Sequence, residues 1–427
     1  MRSLNSEDEP DGRRGASAPA AGAHGSSPLM RRRRGLLLSM GPAFVASIAY
    51  ADPGNFATNF EAGGAVGYRL LWVVIAANLA AMLVQYLSAK LGLATGEGLP
   101  AHCRRRLPRW LTVLMWAEAE VVAIATDLAE IVGGALALQL LFGVPLWAGG
   151  LVTGAVAVLL LATGGDRRLE KAVIAVLAVI MASFVYGVVR AGGSVHDAVQ
   201  GLVPSLPGDK AVVLGTGIIG ATLMPHVVYL HSALTAERFR NADNQARRQA
   251  LRGQRWDVGV AMSFAGLINI VMLLLAAGLF HGTSHDVDDL TAIHQLLAHT
   301  LGPVAAALFA VALLASGLAS SGVGTYAGQE IMAGFLHRRI PLLLRRLITL
   351  TPALIILLAG IDPSTALVWS QVLLSFGIPF ALVPLVLLTS RRTVMKEFTN
   401  RTITVAAAVV ISVVVVSLNV VLLVRTL

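Results

Sequence analysis

At 427 residues, 56% hydrophobic and only 13% charged, with a mean hydropathy of +0.73, this chain carries more apolar surface than a water-soluble domain needs. Many of its runs exceed the roughly 18 apolar residues that mark a membrane-crossing helix, which excludes a soluble enzyme or binding module. The formal net charge of +9 is no nucleic-acid signal, because the basic residues fall between the apolar runs. The single cysteine, Cys103, excludes an intrachain disulfide.

Residues 1–34 are rich in Ser, Gly, Ala, Pro and charge, and end in Arg31-Arg32-Arg33-Arg34. They hold too few apolar residues to build a core, and no clear small-residue cleavage site follows. A disordered cytoplasmic tail is expected there rather than a signal peptide.

Eleven spans are expected beyond it, near 36–64, 68–93, 109–139, 146–164, 170–190, 210–236, 255–280, 303–335, 343–361, 364–390 and 402–424. The loops between them alternate in charge. One set carries Arg104–Arg106, Arg167-Arg168, the stretch Arg238–Arg255, Arg338-Arg339 and Arg391-Arg392. The other set, such as Phe142–Pro145 and 282–302, is nearly free of Lys and Arg. By the positive-inside rule the N-terminus is cytoplasmic, and an odd number of spans puts the C-terminus outside.

Two spans are interrupted. The first opens at Asp52-Pro53-Gly54-Asn55, where Pro53 lacks an N–H and disfavours helix at Asp52. The sixth opens at Met224-Pro225-His226, where Pro225 cannot donate to the Ala221 carbonyl. Non-helical backbone at membrane depth is tolerated only where it is buried in protein or lines a cavity. Paired broken spans in corresponding halves of a chain point to a transporter binding site. Spans one to five (35–192) and six to ten (210–390) can be laid over each other, the second set inverted, with an eleventh span and an extracytoplasmic end at 402–427. The expected fold is an all-α polytopic membrane protein of the inverted-repeat, LeuT-like kind, with helices 1 and 6 broken.

The groups freed at the breaks are the Asp52 carboxylate, the Asn55 amide, the Ala221 carbonyl and the Met224 thioether. Oxygen donors accept any divalent cation, while a thioether favours manganese, iron and softer ions over magnesium and calcium. These four are the candidate metal ligands, and Met224 reads as a filter by softness. Ionisable groups inside spans mark ion pathways by default. The third span carries Glu118, Glu120, Asp127 and Glu130. Glu120, Asp127 and Glu130 share a side and form a candidate proton path, with Arg345 and Arg346 of the ninth span as pairing partners. His226 and His231 are candidate gating or proton-linked groups, since histidine titrates near neutrality. Asn78, Gln85 and Asn269 are intramembrane amides with a structural reading. The external stretch with His281, His285, Asp286, Asp288, Asp289, His294 and His299 matches no tight metal motif and is expected to be a solvated loop.

The strings Ala49-Tyr50-Ala51-Asp52-Pro53-Gly54-Asn55-Phe56 and Met224-Pro225-His226 resemble the Nramp family of proton-coupled divalent metal transporters, most closely its bacterial manganese transporters. So do Ala125-Thr126-Asp127-Leu128-Ala129-Glu130, His226–Leu234, Gly317–Ser321 and Ser370-Gln371. The resemblance covers roughly 35–425. It implies that Asp52, Asn55, Ala221 and Met224 bind metal and that Gln371 approaches it in an occluded state. It further implies that Asp127, Glu130, His226 and Arg346 serve the proton route. The family's magnesium-transporting branch lacks the methionine, so Met224 speaks against it. The function so implied is secondary active import of manganese, iron and similar ions with protons, in the cell membrane. The alternatives are a magnesium carrier or an amino-acid carrier on the same fold. No cofactor, nucleic acid or obligatory protein partner is expected, and the chain is not expected to be an enzyme. Its ligands are the metal ion, the proton and the bilayer.

Overall fold

The computed structural model describes residues 43, 49–163, 178, 181–182, 184–190, 192, 194–282, 289–338 and 340–426. The expected N-terminal tail, the first half of the first span and most of the expected span 170–190 lie outside them. Among the described residues the structure is helical throughout, without strands.

The first helix, α1 (Pro53–Val66), starts on Asp52, whose carboxylate accepts the Asn55 N–H at 2.9 Å. Pro53 occupies the first helical position, where a missing N–H leaves nothing unsatisfied. A 3-10 turn, Gly67–Leu70, leads into α2 (Leu71–Thr95). The short α3 (Leu99–Arg106) precedes α4 (Arg109–Phe142) and α5 (Leu146–Thr163). After the short α6 (Val195–Gln200) come α7 (Gly208–Leu223) and α8 (Pro225–Arg238). They are separated by Met224 alone, at φ 27° and ψ 90°. Positive φ is uncommon for an L-residue with a long side chain, and here it marks the break. Then follow α9 (Asn244–Phe280), α10 (Leu290–Leu301), α11 (Pro303–Leu336), α12 (Leu342–Leu358), α13 (Pro363–Ser390) and α14 (Thr402–Thr426).

Seven helical stretches among the described residues are long and apolar enough to cross a membrane. Two of them contain an interruption: Pro53–Thr95 at its 3-10 turn and Gly208–Arg238 at Met224. Two departures from expectation have physical reasons. The helix expected from 255 begins at Asn244, because its first three turns are polar and carry no hydropathy signal. Part of the expected solvated loop is α10, which buries Leu290, Ile293 and Leu297 and brings His294 against Phe309. His285, Asp286 and Asp288 lie outside the described residues.

Packing brings the two breaks together. The long α4 lies against α11, α13, α5 and α12, while α7 runs along α13 and α1 against α9. At Gly220 an added Cβ would fall 1.8 Å from the Gln371 carbonyl oxygen. Backbone meets backbone there, which carries Gln371 to the breaks. Phe60 packs edge-on against Phe184 and Phe309, with centroids at 5.5 and 5.1 Å, and Phe56 joins the same group. Such pairs add roughly 0.5–1.5 kcal/mol beyond their buried area, and they hold α1 to α11.

Candidate metal centre

Four of the five candidate ligand residues form one buried, hydrogen-bonded cluster. Asp52 Oδ1 accepts both the Asn55 N–H, at 2.9 Å, and the Asn55 side-chain amide, at 2.7 Å. The same amide nitrogen donates to the Ala221 carbonyl at 3.1 Å, across 166 residues of sequence. That carbonyl lacks its helical partner because Pro225 has no N–H to give. Gln371 Nε2 reaches Asp52 Oδ2 at 3.4 Å. Met224, three residues beyond Ala221, is fully buried.

The amide nitrogen of Asn55 thus lies where two acceptor oxygens converge, one anionic and one neutral. An electropositive group is what such a point demands. Meanwhile Asn55 Oδ1 and Gln371 Oε1 are buried without a hydrogen-bond partner. Unsatisfied buried oxygens are costly. Half-turns of the two amides would add both to the convergent pair. The oxygens there would then be one carboxylate and three neutral donors. Among the described residues, no group of three or more His, Cys, Asp or Glu gathers as a tightly held metal would need.

Beside the breaks lies a paired charge network. Arg346 is 1% exposed and donates to Asp127 Oδ1 at 2.6 Å, while Glu130 Oε2 lies 3.5 Å from both of its terminal nitrogens. Ser321 also accepts from it. Arg345 makes a two-pronged pair with Glu120, at 3.1 and 2.7 Å, and Trp116 donates to the same carboxylate. The Arg345 guanidinium crosses close over Gly328 of α11, where an added Cβ would fall 1.9 Å from it. Glu118 points the opposite way, towards Gly377 on α13. Both its oxygens are buried without a partner.

The histidines belong to neither cluster by direct bond. His226 Nδ1 is 3.3 Å from Thr126 Oγ1, and its Nε2 has no partner among the described residues. His231 Nδ1 meets Gln85 Oε1 at 2.8 Å, and Gln85 in turn donates to the Tyr50 hydroxyl at 2.8 Å. Residue-type reasoning missed Thr126, Ser321, Tyr50 and Ser316, the last of which donates to the Ala51 carbonyl beside the first break. All are small or neutral, and only their long-range partners mark them.

A family model described as Natural resistance-associated macrophage protein-like, Nramp, matches residues 43–425. The chain is 52% identical over 389 residues to the divalent metal cation transporter MntH of Deinococcus radiodurans, covering 90% of this chain and 89% of that protein. A solved manganese transporter from Eremococcus coleocola superposes with a TM-score of 0.79 at 32% identity, covering 90% of this chain and 86% of the other. A nucleobase-cation-symport-1 family transporter, MHP1, matches with a TM-score of 0.61 over 86% of this chain and 82% of its own, and at 17% identity it bears on the fold alone.

Proposed function

The chain belongs to the Nramp family, and from that premise we propose that it imports manganese and iron ions together with protons by alternating access. It is a multi-pass membrane transporter of the inverted-repeat, LeuT-like fold and not an enzyme. The observation that carries the substrate reading is the convergence of Asp52 Oδ1 and the Ala221 carbonyl on one amide nitrogen, with Asn55 Oδ1 and Gln371 Oε1 left unsatisfied beside them.

An entering ion takes the place of the Asn55 amide nitrogen and turns that amide to present its oxygen. Gln371 closes over it from α13, and the Met224 sulfur favours a transition metal over magnesium or calcium. An amino-acid substrate fits poorly, because Asp52 would repel its carboxylate. The proton side follows from charge counting. Arg346 faces two carboxylates, Asp127 and Glu130, so the triad carries a net negative charge that one proton cancels. Buried charge of that kind marks proton relays. Glu120 and Arg345 continue the row away from the breaks, and His226, between the breaks and α4, serves as a gate.

The arginine-rich loops support a cytoplasmic N-terminus by the positive-inside rule, and the proposed membrane is the cell membrane. The inside-negative potential then favours import by about 2.3 kcal/mol per charge per 100 mV. The test is manganese uptake into proteoliposomes with and without an inward proton gradient, in competition with excess calcium or magnesium. Wild type is expected to take up manganese faster with the gradient. Met224→Ala is expected to lose about tenfold of its preference over calcium, a factor worth 1.4 kcal/mol. Unchanged preference in Met224→Ala would make the residue packing alone, and no uptake by folded wild type would overturn the reading.

A further inference from the structure

Among the described residues, transport leaves one buried cation without a role. Lys90, five residues before the end of α2 at Thr95, is 6% exposed. Its ammonium donates to the Asn400 side-chain oxygen at 2.7 Å and lies 5.9 Å from the centroid of the Tyr86 ring. The Arg255 guanidinium lies over the same ring at 5.5 Å, and its Nε donates to the Tyr86 hydroxyl at 3.2 Å. Arg401 follows Asn400 directly, and both arginines are near enough to Lys90 to repel its charge. Among the described residues no carboxylate pairs with any of the three. The nearby Glu397 pairs with Arg248 instead.

Two like charges, Lys90 and Arg255, therefore meet over one aromatic side chain, with a third, Arg401, beside the neutral amide against which Lys90 is buried. Burying a charge is costly unless an opposite charge compensates it. Tyr86 and Asn400 ease this only in part, because neither is an anion. The arrangement lacks an anion, and its surroundings say which kind. Arg255 ends the polar first turns of α9, and the next residue, Trp256, is 78% exposed. Arg401 immediately precedes α14, whose Ile403 is 77% exposed. The cations thus lie where apolar, lipid-facing surface begins, at the arginine-rich end of the bundle. Tryptophan at that level is an interfacial anchor, and basic pockets between spans there suit acidic headgroups.

We infer that Lys90, Arg255, Arg401 and the Tyr86 hydroxyl form a binding site for the phosphate of an anionic phospholipid, whose acyl chains lie along Trp256 and Ile403. The occupant joins α2, α9 and the start of α14. It also touches the neighbour of Gln85, which holds Tyr50 beside the first break.

The experiment uses the purified, delipidated full-length chain. Phosphatidylglycerol, phosphatidylcholine with the same acyl chains, and inorganic phosphate are each titrated by native mass spectrometry. Wild type is compared with the double variant Arg255→Gln, Arg401→Gln, whose side chains are exposed and whose fold is checked by thermal unfolding. The inference expects phosphatidylglycerol to bind wild type well ahead of phosphatidylcholine. It expects the double variant to lose about thirtyfold of that affinity, in keeping with the attraction of each of the two surface arginines for acidic lipid. Equal phosphatidylglycerol binding by both proteins would overturn it. So would full displacement of the lipid by millimolar inorganic phosphate, which would make this a free-anion site.

Discussion

The two polar regions at the centre of the bundle differ in how well their charges are satisfied. At the helix breaks a lone carboxylate, Asp52, is held by amide donors, and two amide oxygens beside it have no partner. Between α4, α11 and α12 the acids lie against arginines in direct contact, at 2.6 to 3.5 Å. On the proposed reading, a cation completes the first region. The second already contains its cations, and the thing it can gain or lose is a proton. The proposal accordingly gives metal and proton separate routes through neighbouring elements.

This contrast predicts opposite consequences for stability and transport. Asp52→Asn removes the one charge at the breaks while keeping size and most hydrogen bonds. Manganese uptake should fall by more than about 100-fold, since even indirect partners of a metal ligand cost 10–100-fold when lost. Thermal stability in detergent should hold or rise, because a buried unpaired charge has gone. A variant that still transports at near wild-type rate would show that the ion binds elsewhere.

Arg346→Met should do the reverse to the fold. It leaves Asp127 and Glu130 facing each other without a cation, and removing one partner of a buried pair costs about 3–5 kcal/mol. Arg345→Met should cost less, because Glu120 is 16% exposed and water takes part of the load. Unfolding midpoints of the two variants measured side by side decide the point. Equal losses would mean that both pairs are equally wet, against the greater exposure of Glu120.

Much of this was legible before any coordinates. Asp-Pro-Gly-Asn and Met-Pro-His signal breaks because proline is joined there by polar and ligand-type side chains, whereas Pro352, Pro379 and Pro384 stand inside continuous helices; the apolar runs signal an all-helical membrane protein. The register of partners was not legible. Thr126 and His226 are 100 residues apart, and Ser316 reaches the Ala51 carbonyl over 265 residues. Their meeting depends on how α4, α8 and α11 cross, and no local pattern encodes that. The polar start of α9 and the amphipathic α10 were missed for a related reason. Hydropathy sees membrane contact, whereas Leu290, Ile293 and Leu297 are buried against protein.

Gln371 offers the smallest and sharpest test of the comparison. Its bond to Asp52 is long, 3.4 Å, its other bond is to the neighbouring Ser370 at 3.2 Å, and its own oxygen is unsatisfied, so its amide ties little of the metal-free fold together. Its contribution should appear only when an ion is bound and the amide has turned. Gln371→Ala should therefore leave the unfolding midpoint within error and weaken apparent manganese affinity by roughly three- to tenfold, the worth of about one hydrogen bond or weak ligand. The discriminating measurement is manganese-induced stabilisation, because ligand that binds the folded state raises stability in proportion to RT ln(1 + [L]/Kd). If Gln371→Ala is as stable as wild type without metal but gains less from it, the amide is a ligand that α13 brings to the ion. If both proteins gain equally, Gln371 is a tether of Asp52 alone, and the break has one oxygen donor fewer than its geometry offers.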